Sequence, residues 1–134
     1  MRIVLDTNVL VSGILKPFSI PGEIVRRIGS GNLTLCFDAR ILAEYREVLH
    51  RPKFKIDKDD ISIVLDFIQE SGEWGLATPL LQKLPDRDDE AFLEIAIGSK
   101  VKYLITGNKK DFPIRKEYKI SILTPREFIE IISS

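Results

Sequence analysis

Asp6, Glu44, Asp89, Asn108 and Asp111 are polar side chains that stand where strands end or where helices border the core in this 134-residue chain. Asp6 follows Ile3-Val4-Leu5, an apolar, β-branched run that reads as a short buried strand. Val9-Leu10-Val11 then resumes an apolar pattern that suits a helix, so Asp6 sits where strand gives way to helix. In open α/β sheets that edge collects ligands and chemistry. Asp is also a strong N-cap, and capping of the next helix is an equal reading of Asp6. Asp111, with Asn108 ahead of it, lies just beyond a second strand that ends at Thr106.

Glu44 is placed by periodicity. Over Ala39 to Leu49, residues Ile41, Leu42, Tyr45, Val48 and Leu49 form one apolar stripe of a helix. Glu44 falls at the edge of that stripe, where it borders the core and still reaches a cleft, whereas Glu47 projects nearly opposite and is expected in solvent. A salt bridge to a neighbouring Arg is the plain alternative for Glu44. Asp89 belongs to Asp86-Arg87-Asp88-Asp89-Glu90, which opens a later helix. The helix dipole and one cap account for two of these acids, but four in five positions repel one another unless a cation intervenes. Asp89, one turn before Phe92, faces inward, and Asp86 or Asp88 is the expected cap. Carboxylates gathered without His or Cys are the ligand set of a hard cation, Mg²⁺ or Mn²⁺, and a poor set for Zn²⁺. His50 reads as a helix-end residue.

The elements that position these groups alternate along the chain. Strands are expected at the N-terminus, at Leu33–Phe37, at Tyr103–Thr106 and at Ile120–Leu123, with a short edge strand at Trp74–Thr78. Helices are expected over Asn8–Leu15, Pro21–Ile28, Ala39–Leu49, Asp57–Glu70, Asp86 to about Lys100, and Pro125–Ile132. Such alternation predicts an α/β fold, a parallel sheet covered on both faces.

Length and composition bound the rest. One domain over residues 1–134 is the default at this size. Hydrophobic residues make up 44% and charged residues 30%, which describes a globular chain. Twenty Lys and Arg balance twenty Asp and Glu, so any surface for a polyanion must be local. Cys36 in Leu33-Thr34-Leu35-Cys36-Phe37 reads as a buried core residue. With no signal-like leader and no run of membrane-spanning length, a cytoplasmic location is expected.

The chain resembles the PIN domains, and within that superfamily the VapC-type toxin ribonucleases. The resemblance rests on Val4–Leu10, on Leu42–Leu49 leading into Arg51-Pro52-Lys53-Phe54, on Asp86–Ala96, on Tyr103–Phe112 and on Ile122–Phe128, and so spans nearly the whole chain. It implies a Rossmann-like three-layer α/β/α sandwich and a metal-dependent endonuclease site acting on RNA or another single strand. By the same resemblance Asp6, Glu44 and Asp89 match the family's first, second and third acids, and Asn8 and Thr106 its supporting polar positions. Relatives often carry Asp where this chain has Asn108, so the fourth acidic position falls to Asn108 or to Asp111.

The resemblance also implies partners: an RNA substrate, a small antitoxin that blocks the carboxylates with a basic side chain, and a homodimer. Asp6 and Asp89 would hold Mg²⁺ or Mn²⁺, and Glu44 would position a second ion or the attacking water. Arg46, Arg51, Lys53, Lys109, Lys110, Arg115 and Lys116 are candidates for tracking a phosphate backbone. Two rivals compete. A phosphatase with an aspartyl nucleophile needs an acid two residues after it, and position 8 is Asn8. A PIN-derived module that binds RNA or protein without cutting is favoured by the neutral Asn108.

Overall fold

The computed structural model describes residues 1–113 and 118–133; Arg115 and Lys116 lie outside them. The strands are β1 (Arg2–Leu5), β2 (Thr34–Phe37), β3 (Glu73–Trp74), β4 (Tyr103–Ile105) and β5 (Ser121–Leu123). The helices are α1 (Thr7–Leu15), α2 (Ile20–Gly29), α3 (Ala39–Leu49), α4 (Lys58–Ser71), α5 (Glu90–Gly98) and α6 (Pro125–Ile132). All strand pairings are parallel, in the order β3-β2-β1-β4-β5. This is the α/β architecture with a parallel sheet that the alternation predicts, and it is PIN-like, as the resemblance implies.

Burial shows why the sheet is parallel and internal. Ile3, Val4 and Leu5 are each 0% exposed. Because successive strand residues face opposite sides, both faces must be covered. Helix α5 packs against β1, β2 and β4, while α4 covers β2 and α6 covers β5. Local chemistry sets the helix starts. Ser19, Asp38 and Asp57 each accept a first-turn amide at α2, α3 and α4. Thr124 and Glu127 form a reciprocal capping box at α6, with Pro125 at its first position. Gly13 lets α1 and α2 meet closely, since a Cβ there would stand 2.6 Å from the Pro21 carbonyl oxygen.

Two expected elements differ. The edge strand is Glu73–Trp74, not Trp74–Thr78. Its partner β2 ends at Phe37, so the ladder stops at the Phe37–Trp74 pair. The chain then bends toward α5, where the Thr78 amide donates to the Glu94 carbonyl at 3.0 Å. The helix expected from Asp86 begins instead as a 3-10 turn, Arg87–Asp89, and becomes α-helical only at Glu90. Asp86 caps that turn, accepting from the Asp88 amide at 2.9 Å. Cys36 is buried and free. Among the described residues no helix is long and apolar enough to cross a membrane.

Candidate active site

Because all five strands run the same way, the residues that follow them share one edge: Asp6 after β1, Asp38 after β2 and Thr106 after β4. The chain goes from β1 outward to β2 and β3, then returns to build β4 and β5 on the other flank. Asp6 therefore occupies the topological switch point, where a crevice opens between diverging connections.

Asp6 is 6% exposed, and its side chain makes no capping bond to α1. Its backbone alone starts the helix, the carbonyl accepting from Val9 at 3.1 Å and Leu10 at 3.3 Å. The carboxylate is held by the Thr106 hydroxyl, which donates to Oδ2 at 2.7 Å. That hydroxyl in turn accepts from the Asn108 amide at 3.1 Å. Of the two readings of Asp6, side-chain capping is the one the geometry removes. Glu44 is held in the same manner: the Thr7 hydroxyl donates to its carboxylate. Among the described residues Glu44 enters no salt bridge, while Glu47 pairs with Arg51 at 3.0 Å. His50 closes α3, its Nδ1 lying 2.7 Å from the Arg46 carbonyl oxygen.

Six carboxylates, those of Asp6, Glu44, Asp86, Asp88, Asp89 and Asp111, line one cleft of about 220 Å³. Asn8 stands on the same wall, exposed, and Arg51 is the cleft's basic residue. Asn108 is exposed and does not line it. Of the two candidates for a fourth position, the fold brings Asp111 to the cleft. Thr7 and the pair Asp86 and Asp88 are the polar lining residues that sequence reasoning did not single out as site residues. The signal for the pair was the spacing Asp86-x-Asp88-Asp89 within one turn. Thr7 had only its adjacency to Asp6.

The electrostatics follow from crowding and burial. Burial raises the Asp6 carboxyl above its ordinary range, against the Thr106 hydroxyl bond and the nearby Thr7 amide dipole, which lower it, with Asp111 and Asp86 raising it further. Glu44 is raised by burial, opposed by Thr7, and raised again by Asp6, Asp88 and Asp86. Asp89 moves furthest, to about 7, by burial and then by the negative charge of Asp6, Asp86, Asp111 and Glu44. Oxygen-only donors that resist sharing negative charge fit a hard divalent cation in their chemistry. As the side chains stand, no group of three or more His, Cys, Asp or Glu among the described residues is arranged to hold one.

Comparison with known proteins identifies the family. A family model described as PIN domain matches residues 2–110. An uncharacterized protein of Methanocaldococcus jannaschii is 27% identical over 141 aligned positions, which cover 97% of this chain and 90% of that protein. The family match takes in β1 with Asp6, α3 with Glu44, the turn with Asp89 and β4 with Thr106, and it ends one residue short of Asp111. This chain belongs to the PIN-domain family.

Proposed function

We propose that this PIN-domain protein is a divalent-metal-dependent endoribonuclease that hydrolyses RNA phosphodiester bonds and serves as the toxin of a toxin–antitoxin pair. PIN domains are generally nucleases. The observation that carries the reading is the convergence of six carboxylates from four separate stretches of chain on one cleft at the switch point. A fold gains nothing by gathering unpaired acids there unless their ligand is a cation.

Asp6 and Asp89 would supply the principal ligand oxygens to Mg²⁺ or Mn²⁺, with Asp111 beside them. When bound, such an ion lowers the pKa of a water and offsets charge on the phosphate. The chain's own groups do the rest. Thr106 fixes the Asp6 carboxylate, and burial keeps bulk water from it. Thr7 fixes the Glu44 carboxylate, which would orient the attacking water or position a second ion. Asn8, exposed at the mouth, offers an amide donor to the strand. A small antitoxin with an Arg or Lys directed into the cleft would neutralise the same acids and block the site.

The test is cleavage of a mixed set of single-stranded and structured RNAs with Mn²⁺, with Mg²⁺ and with EDTA, wild type beside Asp6→Asn. Metal-dependent cutting that the variant lacks is the expected result. Equal activity in Asp6→Asn refutes the assignment. No cutting and no heat of Mn²⁺ binding would favour the non-cutting module. The feature that favoured that module is weakened by the placement of Asp111, and not Asn108, at the cleft.

A further inference from the structure

Beside the acidic cleft lies a larger groove of about 640 Å³, between α3 and the turn that leads into α5. Glu44, Arg51 and Asp88 line both hollows, so the groove continues from the cleft along a shared wall. Its basic residues are Arg40, Arg51 and Arg87, and they are not equivalent.

Arg40 is committed to the fold. It donates to Asp38 at 2.8 Å and to Glu94 at 2.7 Å, which ties α3 to α5. Among the described residues the Arg51 side chain has a single partner, Glu47 at 3.0 Å one turn back, with both side chains about half exposed. Such surface pairs contribute little and yield readily to a stronger acceptor. Arg87 enters no ion pair among the described residues. Of the groove's four acids, Glu44 accepts from the Thr7 hydroxyl, Glu47 from Arg51 and Glu90 from the Leu84 amide at 2.9 Å, which leaves Asp88, on the wall shared with the cleft, beside Arg87.

The weakly paired Arg51 and the unpaired Arg87 are both tied to the acidic residues by short pieces of chain. Arg87 lies between Asp86 and Asp88 in the 3-10 turn that carries Asp89. Arg51 is fixed where Pro52 forces the chain out of α3, seven residues beyond Glu44 on the same helix and linker. A polyanion nearing a wall of carboxylates is repelled unless cations hold its phosphates alongside. The planar fork of Arg suits that task, since it can grip two phosphate oxygens at once.

We propose that this groove seats the single-stranded RNA that flanks the cut, with Arg51 and Arg87 as positioning residues that hold backbone phosphates. The proposal rests on the nuclease reading above for the identity of the strand. The contacts are to the backbone, so they supply affinity and register and no base preference.

The test uses the full chain and a short fluorescein-labelled oligouridylate. Binding is read by anisotropy in the Asp6→Asn background with Mn²⁺, over a series of salt concentrations, for the parent and for added Arg51→Ala, Arg87→Ala, Arg51→Lys and Arg87→Lys. Cleavage of RNA by the Arg variants without Asp6→Asn provides KM and kcat. Each Ala variant is expected to weaken binding about tenfold. Each should also reduce the slope of log K against log salt by about 0.7, the share of one phosphate contact on a single strand. KM should rise by that factor with kcat falling less than about threefold. The Lys variants should recover the salt slope but only part of the affinity, a split that a merely structural role would not produce. Affinity and slope unchanged in both Ala variants overturn the proposal, as does a parent that binds no oligouridylate. If wild type cleaves and the slopes do not change, this proposal fails alone; if the slopes change and nothing is cut, the nuclease reading fails and the groove stands.

Discussion

Replacing Asp89 by Asn should stabilise the metal-free protein, and only above acidic pH. The folded carboxyl is pushed from 3.8 to about 7, first by burial and then by the charges of Asp6, Asp86, Asp111 and Glu44. The fold therefore favours the neutral form. Whatever stability this carboxyl contributes is fully present below pH 3.8, falls as pH rises, and is gone above pH 7. Moving a carboxyl from 3.8 to about 7 corresponds to about 4 kcal/mol as an upper bound. The side chain is only half-buried, so solvent screening reduces this to about 1–2 kcal/mol. Asp89→Asn keeps the shape and removes the ionisation. In EDTA at pH 8 its midpoint of thermal unfolding should exceed that of wild type by about 3–8 °C, and at pH 4 the two should nearly coincide. Millimolar Mn²⁺ should close the gap at pH 8 by stabilising wild type far more than the variant. Scanning calorimetry at the two pH values, with and without Mn²⁺, reads all four quantities. A variant no more stable than wild type at pH 8, or a gap of equal size at pH 4, would refute the argument that crowded acids strain this cleft.

Thr106→Val should destabilise the fold by about 1–3 kcal/mol at pH 7, because it leaves the buried Asp6 carboxylate without its hydroxyl donor; urea unfolding measures it. Asp111→Ala should weaken Mn²⁺ binding roughly tenfold by titration calorimetry, and Asn108→Ala should leave it unchanged, since only the first side chain lines the cleft. Gly13→Ala should lose about 1–3 kcal/mol, because the added methyl meets the Pro21 carbonyl oxygen and one helix backbone must move. An Ala variant as stable as wild type would show that α1 and α2 are not held at that point.

Much of the scaffold was legible in the chain because burial writes itself locally. The stripe Ile41, Leu42, Tyr45, Val48 and Leu49 announced α3 with both ends in place, and Pro125 announced the start of α6. The same periodicity separated Glu44 from Glu47. The boundaries that shifted did so where a partner, and not the local pattern, sets the end. The edge strand stops when β2 runs out at Phe37, and the acid-rich run after Asp86 tightens into a 3-10 turn before α5.

What the sequence determined by itself was the chemistry on offer: strand-end and helix-edge carboxylates with no soft ligands, on an alternating α/β chain. Only the tertiary structure decided which of them meet. Asp6 and Thr106 are 100 residues apart and bonded; Thr7 and Glu44 are 37 apart and bonded. Those pairings exist because the order β3-β2-β1-β4-β5 sets β1 beside β4 and brings α3 over the end of β1, where the buried Tyr45 hydroxyl donates to the Leu5 carbonyl at 2.6 Å. The choice of Asp111 over Asn108, three residues away, depended on how one turn hangs from β4. Local patterns reflect neighbours within a turn of chain, whereas strand order is chosen by the burial of the whole sheet, and no short stretch of sequence carries that sum.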